Sequence, residues 1–314
     1  MTVEAQQKRE PDEKRVLLGV AWRDHTPHLR TRRIEQDQSE LVPVQGWRLS
    51  YRVPTGPTVV CVGHVPFRES HTDFHDCNAA PQTGSRRCQR CAIVEATFAS
   101  NLHHAHTKGS AELDASVREH LAQPNRLYLA AFRDGSIKIG TSTLARADKR
   151  LEEQGAWMAR FVAETANGRA VRHLEDAVTE RVGIAQSVSA TRKSRGLSSP
   201  VADHGLAAKL QQAVTDVHTM VIDRATSGDV LAMDEPWRHP MADHPALANV
   251  LAYPLAIARG SHDLRVLTAI GRHLIVTRSS GDDHFVIDPA PLFGLWLDMG
   301  DFGSDEIAIQ DSLF

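Results

Sequence analysis

The sequence predicts a multi-domain α+β protein, and three observations predict it. Short strand-like runs bounded by Pro and Gly occupy both ends of the chain. The middle reads as hairpin, helix, strand, helix, and all four cysteines fall in one short region between the N-terminal strands and that middle. A chain of 314 residues is long enough for two to four compact units, each burying its own core.

Residues 1 to 14 are charged and carry almost no large apolar side chains, the pattern of a disordered terminus. VLLGVAW, GWRLSYRV and TVVCVGHV (from Val16, Gly46 and Thr58) then form a small β unit over 15–110 that contains the cysteines. A short helix ends at Leu121, and Pro124-Asn125 leads into LYLAAF, the turn at Asp134-Gly135, and SIKIGTS: two apolar runs around Asp-Gly predict a β-hairpin. Leu144, Ala147 and Leu151 recur at helical spacing, as do Val171, Leu174, Val178 and Val182, which places a unit at 111–200. SVSATRKSRGLSSP (187–200) reads as a linker. Beyond it, Leu206, Leu210, Val214, Val217 and Val221 mark an amphipathic helix, and LRVLTAI, HLIVT and HFVI make a closing β module, OB-like in one reading, within 201–300. Residues 301–314 read as a flexible tail.

The net charge of −3 excludes a generally basic, histone-like binder, so contact with nucleic acid rests on local basic segments. No apolar run approaches the ~20 residues of a membrane span, and the charged start lacks the apolar core of a signal peptide. The expectation is a cytoplasmic protein that does not engage membranes.

Cys88-Gln-Arg-Cys91 is a C-x-x-C knuckle, a spacing that lets two thiolates meet one tetrahedral Zn²⁺, and Cys77 and Cys61 complete four ligands. Cys61 and Cys77 form no second knuckle, so His64 or His75 is an alternative ligand. A closed four-ligand site is structural rather than hydrolytic. The HHAH segment, His103 to His106, reads as a solvated helix or loop.

Arg126-Leu127-Tyr128, then Lys138-Ile139-Gly140, Arg150-Leu151, Gln154 and Glu175 resemble the ordered motifs of the GIY-YIG nuclease superfamily, in the divergent branch whose second motif is K-I-G. The resemblance covers roughly 60 residues. The wider layout, with its cysteine cluster and the Gln154-Gly-Ala156 turn, is similar to a bacterial family that joins such a domain to a β module. What the resemblance implies is divalent-metal-dependent cleavage of DNA, branched or nicked, in repair or replication. Tyr128 inherits the place of the water-positioning tyrosine, and Lys138 stands where the second tyrosine would be. Arg150 is the cationic clamp for the phosphorane charge, with Arg146 one turn earlier. Glu175 is the oxygen ligand of one Mg²⁺ or Mn²⁺.

Arg192, Lys193 and Arg195, set among hydroxyls, have the donors that hold phosphates without reading sequence. The last five residues resemble the Q-x-x-L-F peptide of the bacterial sliding clamp (β clamp). In that reading Leu313 and Phe314 are apolar anchors and Gln310 the orienting polar group, and a tether to the clamp would raise the effective concentration on DNA and place the protein at the nucleoid. The other readings are a non-catalytic clamp-associated adaptor for DNA, and a zinc-bearing RNA-binding or regulatory protein.

Overall fold

The structure is a computed structural model that describes residues 13–65, 74–103, 105–109, 112–113, 115–225, 229–279 and 281–305. The terminal peptide with Gln310, Leu313 and Phe314 lies outside the described residues. Among the described residues the chain is mixed α+β, with two sheets and six α-helices.

The central unit was legible in the sequence. Strands β5 (Asn125–Ala131) and β6 (Ile137–Thr143) form the antiparallel hairpin, closed through Gly135 at φ 83° and an Asp134 carboxylate that accepts from the Ser136 amide. Helix α3 (Ala147–Gln154), strand β7 (Met158–Thr165) and helix α4 (Gly168–Val182) follow in the expected order. The Asn167 side chain caps α4 by accepting from the Arg169 and Ala170 amides, and Gly183 at φ 77° ends it. Helix α6 (Asp203–Ala225) buries Leu206, Leu210, Val214, Val217 and Val221 along one face, the stripe read from its period.

The rest of the chain divides differently from the sequence expectation. Strand β8 (Val230–Arg238) extends the central sheet to the order β6-β5-β7-β8, and α6 packs on β7 and β8, so both belong to the central unit. The N-terminal strands β1 (Glu13–Arg23), β2 (Thr26–Arg33), β3 (Glu40–Pro43) and β4 (Arg48–Arg52) share one sheet with the C-terminal β9 (Val250–Ala252), β10 (Ser261–Ile270), β11 (His273–Arg278), β12 (His284–Ile287) and β13 (Trp296–Met299). Its order is β3-β2-β1-β13-β4-β10-β11-β12-β9, with β13 inserted between β1 and β4. Strands from the two β modules at 15–110 and 201–300 therefore share one sheet, and among the described residues the C-terminal strands close no barrel of their own. The physical reason is that each half leaves a strand edge with unpaired backbone groups, and pairing the halves satisfies both.

Residues 301–305 are docked rather than free: Asp301 pairs with Arg48 at 2.6 Å, and the Phe302 amide donates to Ser50 Oγ. TVVCVGHV forms only isolated bridges at Val59 and His64 instead of a strand. Gly63, at φ 71°, turns the chain there, and a Cβ at that position would stand 2.2 Å from the His75 carbonyl oxygen.

The two sheets meet in one core. Leu127, Leu129 and Val162 of the central sheet pack in the same cluster as Ile270, Ile275 and Val286 of the larger one. Two glycine turns cross at the junction: a Cβ on Gly271 would lie 2.8 Å from the Gly155 amide nitrogen. Nearby, His25 in the β1–β2 turn bonds through Nδ1 to the buried carboxylate of Glu152 on α3, which raises the His25 pKa.

Candidate functional site

Three observations locate the site: which face of the hairpin each strand residue takes, what α3 brings over that face, and where α4 passes.

Alternation sends Leu127, Leu129 and Ala131 toward the main core, and Tyr128, Ala130 and Phe132 toward α3. Tyr128 is opposite Gly140 in the register, and the phenol fills the space a side chain would need there: a Cβ on Gly140 would lie 2.5 Å from its hydroxyl. Glycine in the K-I-G motif is thus required by close approach of the ring. Gln154, from the last turn of α3, donates to the Tyr128 hydroxyl at 2.7 Å. Burial raises the Tyr128 pKa, and the Arg150 charge and the Gln154 hydrogen bond oppose the rise.

Lys138 is buried on the same side, its Nζ 5.9 Å from the Tyr128 ring centre and donating to the Gln186 carbonyl at 3.2 Å. Burial, and then the charges of Arg150 and Lys193, push its pKa down to about 8. On α4, Glu175 is buried and accepts from Arg172 Nη1 at 2.6 Å. The charges of Arg150 and Glu175 both act on Tyr128 and on Lys138. Tyr128 and Lys138 are therefore neighbours, and Arg150 and Glu175 lie near enough for their charges to act on both.

Beside these residues opens a cleft of about 190 Å³ whose walls include Arg146 and Arg150 of the α3 region, Arg172 of α4, His120 of α2 (Ala115–Leu121) and Ser142 of β6. Arg146 is held by both oxygens of Glu153, while its buried Nε and the Ser142 hydroxyl have no hydrogen-bond partner among the described residues. Arg150 is exposed and has no carboxylate partner among the described residues. Burial lowers the His120 pKa, and the charges of Arg146 and Arg172 lower it further, so the imidazole is neutral at pH 7. Such a cleft suits a phosphate: three guanidinium groups supply charge and forked donors. Arg172, His120 and Ser142 were not singled out from the sequence, although Arg172-x-x-Glu175 carried an i,i+3 ion-pair spacing.

The basic segment departs from expectation. SVSATRKSRGLSSP is not a linker: it contains helix α5 (Ala190–Ser198), capped by Ser189 and anchored by buried Leu197. Lys193 faces inward, donating to the Gln154 carbonyl at 2.7 Å over the Phe132 ring, and burial lowers its pKa to about 8. It supports α3 and is not presented to a DNA backbone. Arg192 is spent on Asp134, and Arg195 is exposed. His106 of the HHAH segment is likewise not solvated: its side chain is buried, with Nε2 2.8 Å from Asp176.

The four cysteines form a metal-ready cluster. Their sulfurs all lie within 4.8 Å of one another, against the ~3.8 Å edges of a tetrahedron built on ~2.3 Å zinc–sulfur bonds. Cys88 and Cys91 flank the first turn of α1 (Gln89–His103), and the amides of Gly63 and Cys88 both point at Cys61 Sγ, at 3.4 and 3.2 Å. The Cys91 amide is the main reason the Cys88 thiol falls to about 7, while burial pushes the Cys77 and Cys91 thiols up, so Cys88 is the readiest of these three to serve as a thiolate. His64 and His75 stack on each other, and His64 Nδ1 meets Cys91 Sγ at 3.2 Å, outside the ligand set. The donor set fits a metal such as zinc, and these four cysteines would hold it.

The model of a protein family described as a protein of unknown function (DUF2797) matches residues 70–256. The chain belongs to the DUF2797 family. The match takes in the whole central sheet, the cleft and three of the four cysteines of this DUF2797 protein. No curated protein and no solved structure matches the chain. Among the described residues no helix is long and apolar enough to cross a membrane.

Proposed function

We propose that this DUF2797 chain is a metal-dependent endonuclease of the GIY-YIG type that cuts branched or nicked DNA in repair or replication. The observation that carries the reading is the convergence of Arg146, Arg150 and Arg172 on one cleft beside Tyr128 and Glu175. A phosphodiester in that cleft meets fixed positive charge without reorganisation, which is the main demand of phosphoryl transfer. Arg150, without a carboxylate partner among the described residues, is the group left to follow charge onto the phosphorane.

Glu175 spends one oxygen on Arg172, and its Oε1 accepts no hydrogen bond from a described residue, which fits a single hard ligand for Mg²⁺ or Mn²⁺. That ion would supply Lewis acidity on the phosphate oxygens. Tyr128, buried and bonded to Gln154, supports from behind the helix that carries Arg150. Zn²⁺ on Cys61, Cys77, Cys88 and Cys91 is structural in this scheme. Gln310, Leu313 and Phe314 recruit the protein to the sliding clamp at the nucleoid, and deleting residues 310–314 tests that by titration against purified clamp. Unchanged affinity overturns the recruitment.

Cleavage of fork, flap and nicked duplexes by the zinc-loaded protein, with and without Mg²⁺, tests the reaction. Wild type should give Mg²⁺-dependent product and Glu175→Gln none, with matching circular dichroism. Product from Glu175→Gln overturns the assignment. A second reading, a DNA-holding adaptor, is favoured by one observation: Tyr128 is 1% exposed and Lys138 8%, so both are withheld from the cleft. Tight binding of the same DNAs without product from wild type selects it.

A further inference from the structure

A second cavity, of about 200 Å³, opens on another side of α3. Its walls carry Arg23 of β1, Arg30 of β2 and Lys149 of α3, with Glu153 as the counter-charge. Glu153 also chelates Arg146, which lines the first cleft, so one ion pair joins a wall of each cavity. Lys149 and Arg150 are neighbours in sequence, one lining each cavity. Arg146, Lys149, Arg150 and Glu153 span two helical turns, on the order of 10 Å.

Arg23 and Lys149 are the available charges of this groove. Arg23 is exposed, and neither it nor Lys149 has a carboxylate partner among the described residues. Arg30 lies with its guanidinium carbon 4.1 Å from the Phe74 ring centre, held there by stacking and by a hydrogen bond to Ser39. Burial lowers the Arg30 pKa, the Asp76 carboxylate opposes that, and the Arg23 charge adds a smaller repulsion. Repulsion of that kind is relieved by an anion. The groove's lining includes Leu18 to Trp22 of β1, next to the β-bulge between Leu17 and Gly19 that shifts the β1–β2 register.

We infer that the groove of Arg23, Arg30 and Lys149 is a second phosphate-backbone site, which grips the duplex arm of a DNA whose reacting phosphodiester occupies the Arg146–Arg150–Arg172 cleft. The inference rests on the nuclease reading for the identity of the occupant and adds a path across α3. It gives the larger sheet a role: Arg23 and Arg30 lie on its N-terminal strands, and the His25–Glu152 contact and the Gly155–Gly271 crossing fix that sheet against α3. Grip by three cations reading no base edges is recognition of backbone, not of sequence.

The test is a fluorescence-anisotropy titration of the full zinc-loaded protein, carried out without Mg²⁺ over a salt series. The probes are a fork with a duplex arm of about 20 base pairs, a short nicked duplex that fills only the cleft, and a 20-base-pair RNA duplex. Arg23→Glu with Lys149→Glu should weaken the long-arm fork at least tenfold. It should flatten the salt dependence by about 2 in log–log slope, near one per lost phosphate contact, and leave the short duplex unchanged. Arg23→Gln with Lys149→Gln, which keeps the surface polar and the fold undisturbed, should show the same order with a smaller loss.

Equal affinity of wild type and both variants for the long-arm fork, while Arg150→Ala weakens both DNAs, overturns the second site and leaves the cleft standing. Loss of affinity for the RNA duplex greater than for the fork overturns the DNA assignment of the groove. If Arg150→Ala changes neither DNA, it is the cleft reading that fails.

Discussion

Gln154 Nε2 donates to the Tyr128 hydroxyl across 2.7 Å, joining the last turn of α3 to the buried face of the β5–β6 hairpin. The bond is where backbone architecture and cleft chemistry meet, since α3 also carries Arg150 to the cleft. Gln154→Leu strands a buried phenol, at about 1–3 kcal/mol, and should lower the denaturation midpoint accordingly. Tyr128→Phe should cost less in the Gln154→Leu background than in wild type, because the two changes share one interaction. Additive losses in that cycle would show that the bond contributes nothing.

Gly140 predicts a harsher result. The Cβ of Gly140→Ala would meet Tyr128 Oη at 2.5 Å and ring carbons at 2.6 and 2.8 Å, so the ring must move. A loss on the order of 1–3 kcal/mol follows from overpacking. Tyr128→Phe cannot rescue it, as the ring carbons clash too, whereas Tyr128→Leu should recover part of the melting temperature. Rescue by Tyr128→Phe would place the clash at the hydroxyl alone.

The hairpin, α4 and α6 were readable because each repeats its apolar residues at its own period: Leu127, Leu129 and Ala131 at two, Val171, Leu174 and Val178 near 3.6. Four cysteines within a short region were readable because so rare a residue seldom clusters without cause. What stayed hidden was non-local. Nothing in Trp296–Met299 announces that it pairs with Glu13–Val16 on one side and Tyr51–Arg52 on the other, and strand partners leave no period in a single sequence. Arg172, His120 and Ser142 meet only after α4 packs on the sheet and α2 packs on α4. Lys193 was misread because a Ser- and Arg-rich stretch resembles a solvated linker, when one buried Leu197 and a Ser189 cap were enough to dock it as a helix.

The cysteine cluster makes a prediction that needs no activity. Purified protein should carry one zinc per chain, and Cys88→Ser should carry far less, with a markedly lower melting temperature, because metal binding supplies folding free energy where the local core is small. His64→Ala should keep the metal, since its ring only abuts Cys91 Sγ. Loss of zinc in His64→Ala with retention in Cys88→Ser would reverse the ligand assignment.

Lys138 supplies a pH test with a definite sign. Its pKa falls from an ordinary 10.5 to about 8 in the folded chain, so the folded state binds the proton more weakly than the unfolded one. A depressed pKa contributes stability above 10.5 that is lost as pH falls, and below about 8 the buried ammonium is a full cost. At ~1.4 kcal/mol per pKa unit that cost is on the order of 3 kcal/mol, offset on replacement by about 1 kcal/mol for the lost bond to the Gln186 carbonyl. Lys138→Met should therefore be more stable than wild type at pH 7, by roughly 1–3 kcal/mol. The advantage should shrink as pH rises from about 8 toward about 10, where wild-type Lys138 is already neutral when folded. Urea denaturation of both proteins at about pH 7 and about pH 10 reads the difference directly. An advantage that stays constant across that range would mean that Lys138 keeps an ordinary pKa in the fold, and that its burial beside Tyr128 carries no electrostatic cost.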